Sequence, residues 1–167
     1  VYTEGEEVKV LQAVQAVLDE GMAKPILIGR KKVVSTRIKR YGLRMEPGKN
    51  FDLIDPDDDP RFRDYWETYH RIMERRGVTP NEAKTIVRTN PTVIAALMVY
   101  KNEADAMICG TVGKYAEHTK DIIDIIGLKP GVETAAAMNA LVLPSGTYFF
   151  CDTQINADPG IAQISEM

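Results

Sequence analysis

Two short apolar runs, KPILIG from Lys24 to Gly29 and FDLID from Phe51 to Asp55, most limit what this chain can fold into. Runs this short cannot sustain a helix, and each ends in punctuation, a glycine or an acidic residue, so they read as strands with both faces covered. The segments around them repeat at helical spacing. Val8, Leu11, Val14, Val17 and Leu18 mark one helix that Gly21 closes, and Arg30 to Arg40 keeps Val33, Val34 and Ile38 on one face, with Gly42 beyond its end. Val1 to Thr3 reads as the end of a strand and Glu4-Gly5-Glu6 as the turn out of it. Strands alternating with helices predict an α/β protein, a layered α/β/α lobe with a largely parallel sheet.

The pattern continues along the chain. A helix is expected from about Arg61 to Arg76, stopped by Gly77. Thr79-Pro80-Asn81-Glu82 has the form of a capping box with proline at the first helical position, and Asn90-Pro91 repeats the cap-then-proline signal before TVIAALMVYKN. DAMIC then reads as a strand, Gly110 to Gly113 as a turn, and the residues up to Gly127 as a helix. AAMNALVLPSG and TYFFCDTQIN read as two successive strands, and Ile161 to Met167 as the first turns of another helix.

Composition removes several classes of function. The 167 residues carry 21 basic and 24 acidic side chains, a net charge of −3, which supplies neither a field for nucleic acid nor a polybasic membrane anchor. The uncharged stretch from Thr134 to Cys151 is broken by Asn139, Pro144, Ser145 and Gly146 and suits strands better than a membrane span. Cys109 and Cys151 each end an apolar run, as buried free thiols of a reducing compartment do, so a cytoplasmic location is expected. The opening VYTEGEE reads as cut from within a longer protein.

The acidic run DPDDDP spaces Asp55, Asp57 and Asp59 like the first ligands of an EF-hand. Pro60 stands where that loop needs glycine and Trp66 where it needs glutamate, so a solvated loop that caps a helix is the expectation. His70 and His118 lack the partners of a metal pair, and no metal is assigned. The turn at Gly110 and Gly113 serves equally well to pack a helix on the sheet or to hold a ligand. Its place beyond a strand end, among Thr111, Lys114, Tyr115, His118, Thr119 and Lys120, favours a ligand, and Asp152, Thr153 and Asn156 form a second such edge. The two edges are expected to form one wall of a cleft. No nucleophile elbow, dinucleotide fingerprint or phosphate-binding loop is present, so no catalytic residue is assigned.

Three stretches in this order and spacing carry a resemblance: VYTEGEEVKVLQAVQAVLDEGMAKPILIG, DAMICGTVGKYAEHTKDII and YFFCDTQINADPG. They resemble the phosphate acetyltransferase/butyryltransferase family, and more closely the phosphotransacetylase-like carboxy-terminal region of large bacterial NADP-dependent malic enzymes. The resemblance implies the first lobe of the phosphate acetyltransferase (isocitrate/isopropylmalate dehydrogenase-like) fold, residues 1–160, with 161–167 starting the connection to a second lobe. It implies a cleft for coenzyme A and an acyl phosphate, with the family's catalytic serine, aspartate and one arginine in the second lobe and dimerisation largely through it.

Departures from the family pattern narrow this. Met73 stands where true transferases have an arginine, Lys120 where they have another, Gly113-Lys114-Tyr115 replaces a serine-rich helix start, and Gly160 ends a motif that usually ends in threonine. The expectation is a fragment without transferase activity: part of an acetyl-CoA-sensing regulatory domain whose parent, with NADP and a divalent metal in a separate amino-terminal part, oxidatively decarboxylates malate to pyruvate. The implied partners are acetyl-CoA or a related acyl-CoA or acyl phosphate, the second lobe and malic-enzyme domain of the same chain, and further copies in a homo-oligomer. The alternative is a fragment of an authentic phosphate acetyltransferase that forms acetyl-CoA from acetyl phosphate.

Overall fold

The computed structural model describes all residues, Val1–Met167, and divides them into two compact units, Val1–Ile126 and Gly127–Met167. The division falls inside the 1–160 span expected for one lobe.

In the first unit, β1 (Ile26–Ile28) and β2 (Asp52–Ile54) pair in parallel, with Leu27 opposite Leu53 and Ile28 opposite Ile54. Tyr2 bridges in parallel to Leu27 on one side and to Ile108 on the other, so the sheet runs β2, β1, Tyr2, Ile108. Every strand points the same way, and all their carboxyl ends meet at one edge. The expected strand DAMIC is reduced to that single bridge at Ile108. It is the outermost member, so the backbone has a partner on one side only.

Alternate side chains of each strand face opposite layers. Leu27 joins Val10, Leu11 and Val14 of α1 (Val8–Asp19) and Val34 and Ile38 of α2 (Lys31–Arg40) in one core cluster. Ile28 and Ile54 point the other way, into a second cluster with α3 (Phe62–Met73), α4 (Pro80–Thr89), α5 (Pro91–Tyr100) and α6 (Tyr115–Ile126). The result is the expected α/β/α layering with a parallel sheet. Two helices cover one face and four the other.

The four-helix layer follows local signals. A short 3-10 turn, Glu74–Arg76, ends α3, and Gly77 adopts a left-handed φ of 90° beyond it. Thr79 and Glu82 form the expected capping box at α4. The Asn90 carboxamide oxygen accepts from the N–H groups of Thr92 and Val93 at 3.0 and 3.4 Å, starting α5. Seven successive residues of α5, Thr92 to Met98, are buried, as befits a helix that is apolar all round.

In the second unit, β3 (Met138–Leu143) and β4 (Gly146–Cys151) form an antiparallel hairpin, followed by α7 (Ile161–Glu166). No residue of Gly127–Met167 is buried. Cys151 is therefore exposed, contrary to the expectation of a buried thiol, because nothing covers the hairpin strand that carries it. Cys109 is half-buried, and burial, followed by the charge of Glu4, pushes its thiol pKa up. No helix is long and apolar enough to cross a membrane.

Candidate functional site

The carboxyl ends of the parallel strands deliver four loops to one edge of the first unit. Thr3, Glu4 and Glu6 follow Tyr2, Gly29 and Arg30 follow β1, Pro56 and Asp57 follow β2, and Val112 lies in the turn after Ile108. They line a cavity of about 320 Å³ that Arg88, from the last turn of α4, closes on one side. A neighbouring cavity of about 490 Å³ shares Thr3, Glu4, Pro91 and Val112 with it and extends to Gly113, Glu117, His118 and Asp121. A bipartite groove beyond the carboxyl edge of a parallel sheet is where open α/β folds hold ligands.

Arg30 and Arg88 are the two cations on this wall. The Arg30 guanidinium makes a bidentate pair with Glu6, Nε to Oε1 and a terminal nitrogen to Oε2, both at 2.8 Å, and its backbone N–H reaches Oε1 at 3.0 Å. That side-chain hydrogen bond, opposed by burial, holds the Glu6 carboxyl below the usual range. Arg88 has no carboxylate partner and lies 4.3 Å from the centre of the Phe62 ring. It remains available to an anion. Two aspartates of the acidic loop are engaged elsewhere: Asp55 accepts from the Lys31 N–H at 2.8 Å at the start of α2, and Asp59 accepts from the Arg61 N–H at 2.8 Å ahead of α3.

The turn expected to bind is pinned from below. The Gly110 N–H donates to Glu4 Oε1 at 2.8 Å, and Glu4 Oε2 accepts from the Thr3 hydroxyl at 2.6 Å. His118 Nε2 lies 2.8 Å from the Val112 carbonyl, and Nδ1 lies 2.8 Å from the Thr92 hydroxyl. A carbonyl can only accept, so Nε2 carries the proton, and in the neutral ring Nδ1 accepts from Thr92. Gly113 sits at a φ of 99°, where a Cβ would come within 2.8 Å of His118 Nε2. The glycine admits the ring, and the ring ties the turn to α5.

The remaining residues of the turn and of α6 face elsewhere. Thr111 is exposed, and Lys114 pairs with Glu117 at 3.2 Å. Tyr115, 47% exposed, opens α6, and its carbonyl accepts from the Thr119 hydroxyl at 2.9 Å. Lys120 pairs with Asp124, which also accepts from Arg76. The structure thus brings Gly113 and His118 to the groove wall and leaves Lys114, Tyr115, Thr119 and Lys120 off it.

Asp152, Thr153 and Asn156 belong to the second unit. The Asp152 carboxylate accepts from the backbone N–H groups of Ala137, Ile155 and Asn156 at 3.1, 3.2 and 2.7 Å, and the Asn156 amide donates to the Ala135 carbonyl at 2.8 Å. Asn139 donates to the Thr153 hydroxyl. These contacts brace the exit of β4.

Sequence reasoning missed Thr3, Glu4, Arg30, Asp57 and Arg88. The first four follow strand ends just as Gly110 does, and extending the strand-end rule to every strand finds them. Arg88, at the end of a helix, carries no comparable signal.

The whole chain, residues 1–167, matches the phosphate acetyl/butaryl transferase family. The chain belongs to that family. It is 49% identical over its full length to an NADP-dependent malic enzyme of Escherichia coli, of which it spans 22%, and 46% identical over 99% of its length to an NAD-dependent malic enzyme of Rhizobium meliloti, again 22% of that protein. A phosphate acetyltransferase of Nitratidesulfovibrio vulgaris is 28% identical over the full chain, which covers 23% of it. The EutD phosphotransacetylase of Staphylococcus aureus superimposes with a TM-score of 0.83 at 22% identity, over 98% of this chain and 49% of that one, a shared fold. The chain thus spans about a fifth of the length of the first three of these relatives.

Proposed function

We propose that this chain is part of an acetyl-CoA-sensing regulatory region in a cytoplasmic malic enzyme, in which a catalytic portion elsewhere oxidatively decarboxylates malate to pyruvate with NADP and a divalent metal. The observation that carries this reading is the gap between 46–49% identity to malic enzymes and 28% to a phosphate acetyltransferase over the same residues. Met73 supports it. Where transferases resembling this chain have a phosphate-binding arginine, Met73 is 5% exposed and packs in the core with Tyr69, so its place serves packing and offers a phosphate no cation.

The groove at the carboxyl edge of the sheet takes the effector, with Arg88 offsetting phosphate charge and the Gly110–Gly113 turn as a wall. The effector controls the malate site by preferring one of two domain arrangements, a coupling typically of about 1–3 kcal/mol.

The test is malate turnover by the intact malic enzyme against acetyl-CoA concentration. Arg88→Ala is expected to move the midpoint to higher acetyl-CoA, and Met22→Ala, on an exposed loop, leaves it in place. Superimposable curves for wild type and Arg88→Ala overturn the assignment of the groove.

Family membership favours a second reading, a fragment of an authentic phosphate acetyltransferase. Acetyl transfer needs a base for the thiol and cations for the phosphate oxygens. Thioester formation from coenzyme A and acetyl phosphate by the intact parent protein above a heat-inactivated control selects that reading; no formation by the intact parent excludes it.

A further inference from the structure

We infer that Phe62 is a positioning residue for Arg88: its ring holds the guanidinium at the groove, clear of Asp57, and so sets the affinity of the site for an anionic effector. The inference rests on the groove reading above and concerns how that site is tuned.

The side chains of α3 and α4 meet in two rungs of the same kind. Phe62, at the start of α3, lies under Arg88, at the end of α4, with 4.3 Å from ring centre to guanidinium carbon. One turn further along α3, Trp66 lies under Lys84 at 4.6 Å. The two helices therefore run antiparallel, and the i, i+4 spacing on each puts both rungs on one stripe. Both rings pack against the core cluster, so each presents a fixed face. A cation over such a face is held in place without being neutralised.

The two rungs differ in what they meet. Arg88 lines the cavity of about 320 Å³, whereas Lys84 lines neither cavity of the groove. The same cavity carries four carboxylates, Glu4, Glu6, Glu7 and Asp57. Three are occupied: Glu4 accepts from the Gly110 N–H, Glu6 grips Arg30, and Glu7 lies 3.7 Å from Arg37. Asp57 engages only through its backbone N–H, which donates to Asp55 at 3.1 Å. It is the acid left to draw in a guanidinium that is free to swing. An Arg88–Asp57 ion pair would spend the charge that an anion needs, and the Phe62 ring holds Arg88 without spending it.

The test is the acetyl-CoA concentration at half effect on malate turnover by the intact malic enzyme. Phe62→Leu keeps an apolar side chain on the core but removes the ring face. It should raise the midpoint about 2–5-fold, the range a cation–π contact supplies at an exposed site. Phe62→Tyr keeps the face and should match wild type. Trp66→Leu removes the neighbouring ring, whose cation lies off the groove, and should also match wild type; this separates loss of the Arg88 contact from loss of packing between α3 and α4. Asp57→Asn added to Phe62→Leu should bring the midpoint back, and Phe62→Leu added to Arg88→Ala should move it no further. A wild-type midpoint in Phe62→Leu while Arg88→Ala is shifted overturns the positioning role and leaves the groove standing, whereas a wild-type midpoint in Arg88→Ala overturns both. Equal shifts in Phe62→Leu and either Phe62→Tyr or Trp66→Leu, no rescue by Asp57→Asn, or a further shift on top of Arg88→Ala also overturns the positioning role.

Discussion

His118 shows how a lone histidine acquires a role through distant partners. Its ring joins the Val112 carbonyl to the Thr92 hydroxyl, and Thr92 is only 2% exposed. Removing that hydroxyl leaves Nδ1 without a donor, so Thr92→Val should cost about 1–3 kcal/mol in urea unfolding, with Thr92→Ser close to wild type. Gly113→Ala should cost a similar amount, since it combines a strained φ with a Cβ 2.8 Å from Nε2. Equal stability for all three variants would remove the brace from this account. His118 was legible as a residue near the turn. Its function as a brace was not, because Thr92 lies 26 residues away in the sequence and only the packing of α6 against α5 joins them.

Elements declared by neighbouring residues were legible, and those that depend on distant partners were less so. The caps at Thr79 and Asn90 are signals within three residues, and both helices start where they indicate. DAMIC has a strand's composition but pairs only at Ile108, since a sheet edge gives one-sided support. The α4 cap is also sensitive to acid. Hydrogen bonds from the Thr79 backbone and then its side chain hold the Glu82 carboxyl below its ordinary value. A depressed folded-state pKa contributes stability above the unfolded value that is lost as pH falls through the folded one. Thr79→Ala should therefore destabilise the protein by about 0.5–2 kcal/mol at neutral pH, and by less in acid, where the wild type has lost the Glu82 half of the box as well. Urea midpoints of the two proteins at pH 7 and in acid check this; a gap that widens in acid contradicts it.

At the scale of the whole molecule, the layering was legible because the apolar periods of strand and helix already separate the two faces of the sheet, while the groove was only half legible. The strand-end rule reached Gly113 and His118, but the wall also needs loops that come together only when Tyr2, β1 and β2 align in parallel. The same alignment sets how the fold responds to pH. Glu6 joins the loop after Tyr2 to Arg30 at the entry of α2, and Asp124 joins α6 to Arg76 beyond α3. The Glu6 carboxyl is lowered first by its hydrogen bond from Arg30; at Asp124 burial pushes upward, and the bonds from Lys120 and Arg76 outweigh it. Both groups thus bind protons more weakly folded than unfolded. The unfolded chain holds more protons as pH drops through the ordinary carboxylate values of 4.5 and 3.8, so unfolding becomes easier there and stability rises with pH across that window. Urea midpoints measured from pH 7 downward should stay nearly level to about pH 5 and then fall. In Glu6→Gln the neutral plateau should be lower and the acid slope shallower, because one of the depressed groups is gone. An acid limb with the wild-type slope in Glu6→Gln would show that the Glu6–Arg30 pair does not link pH to the fold.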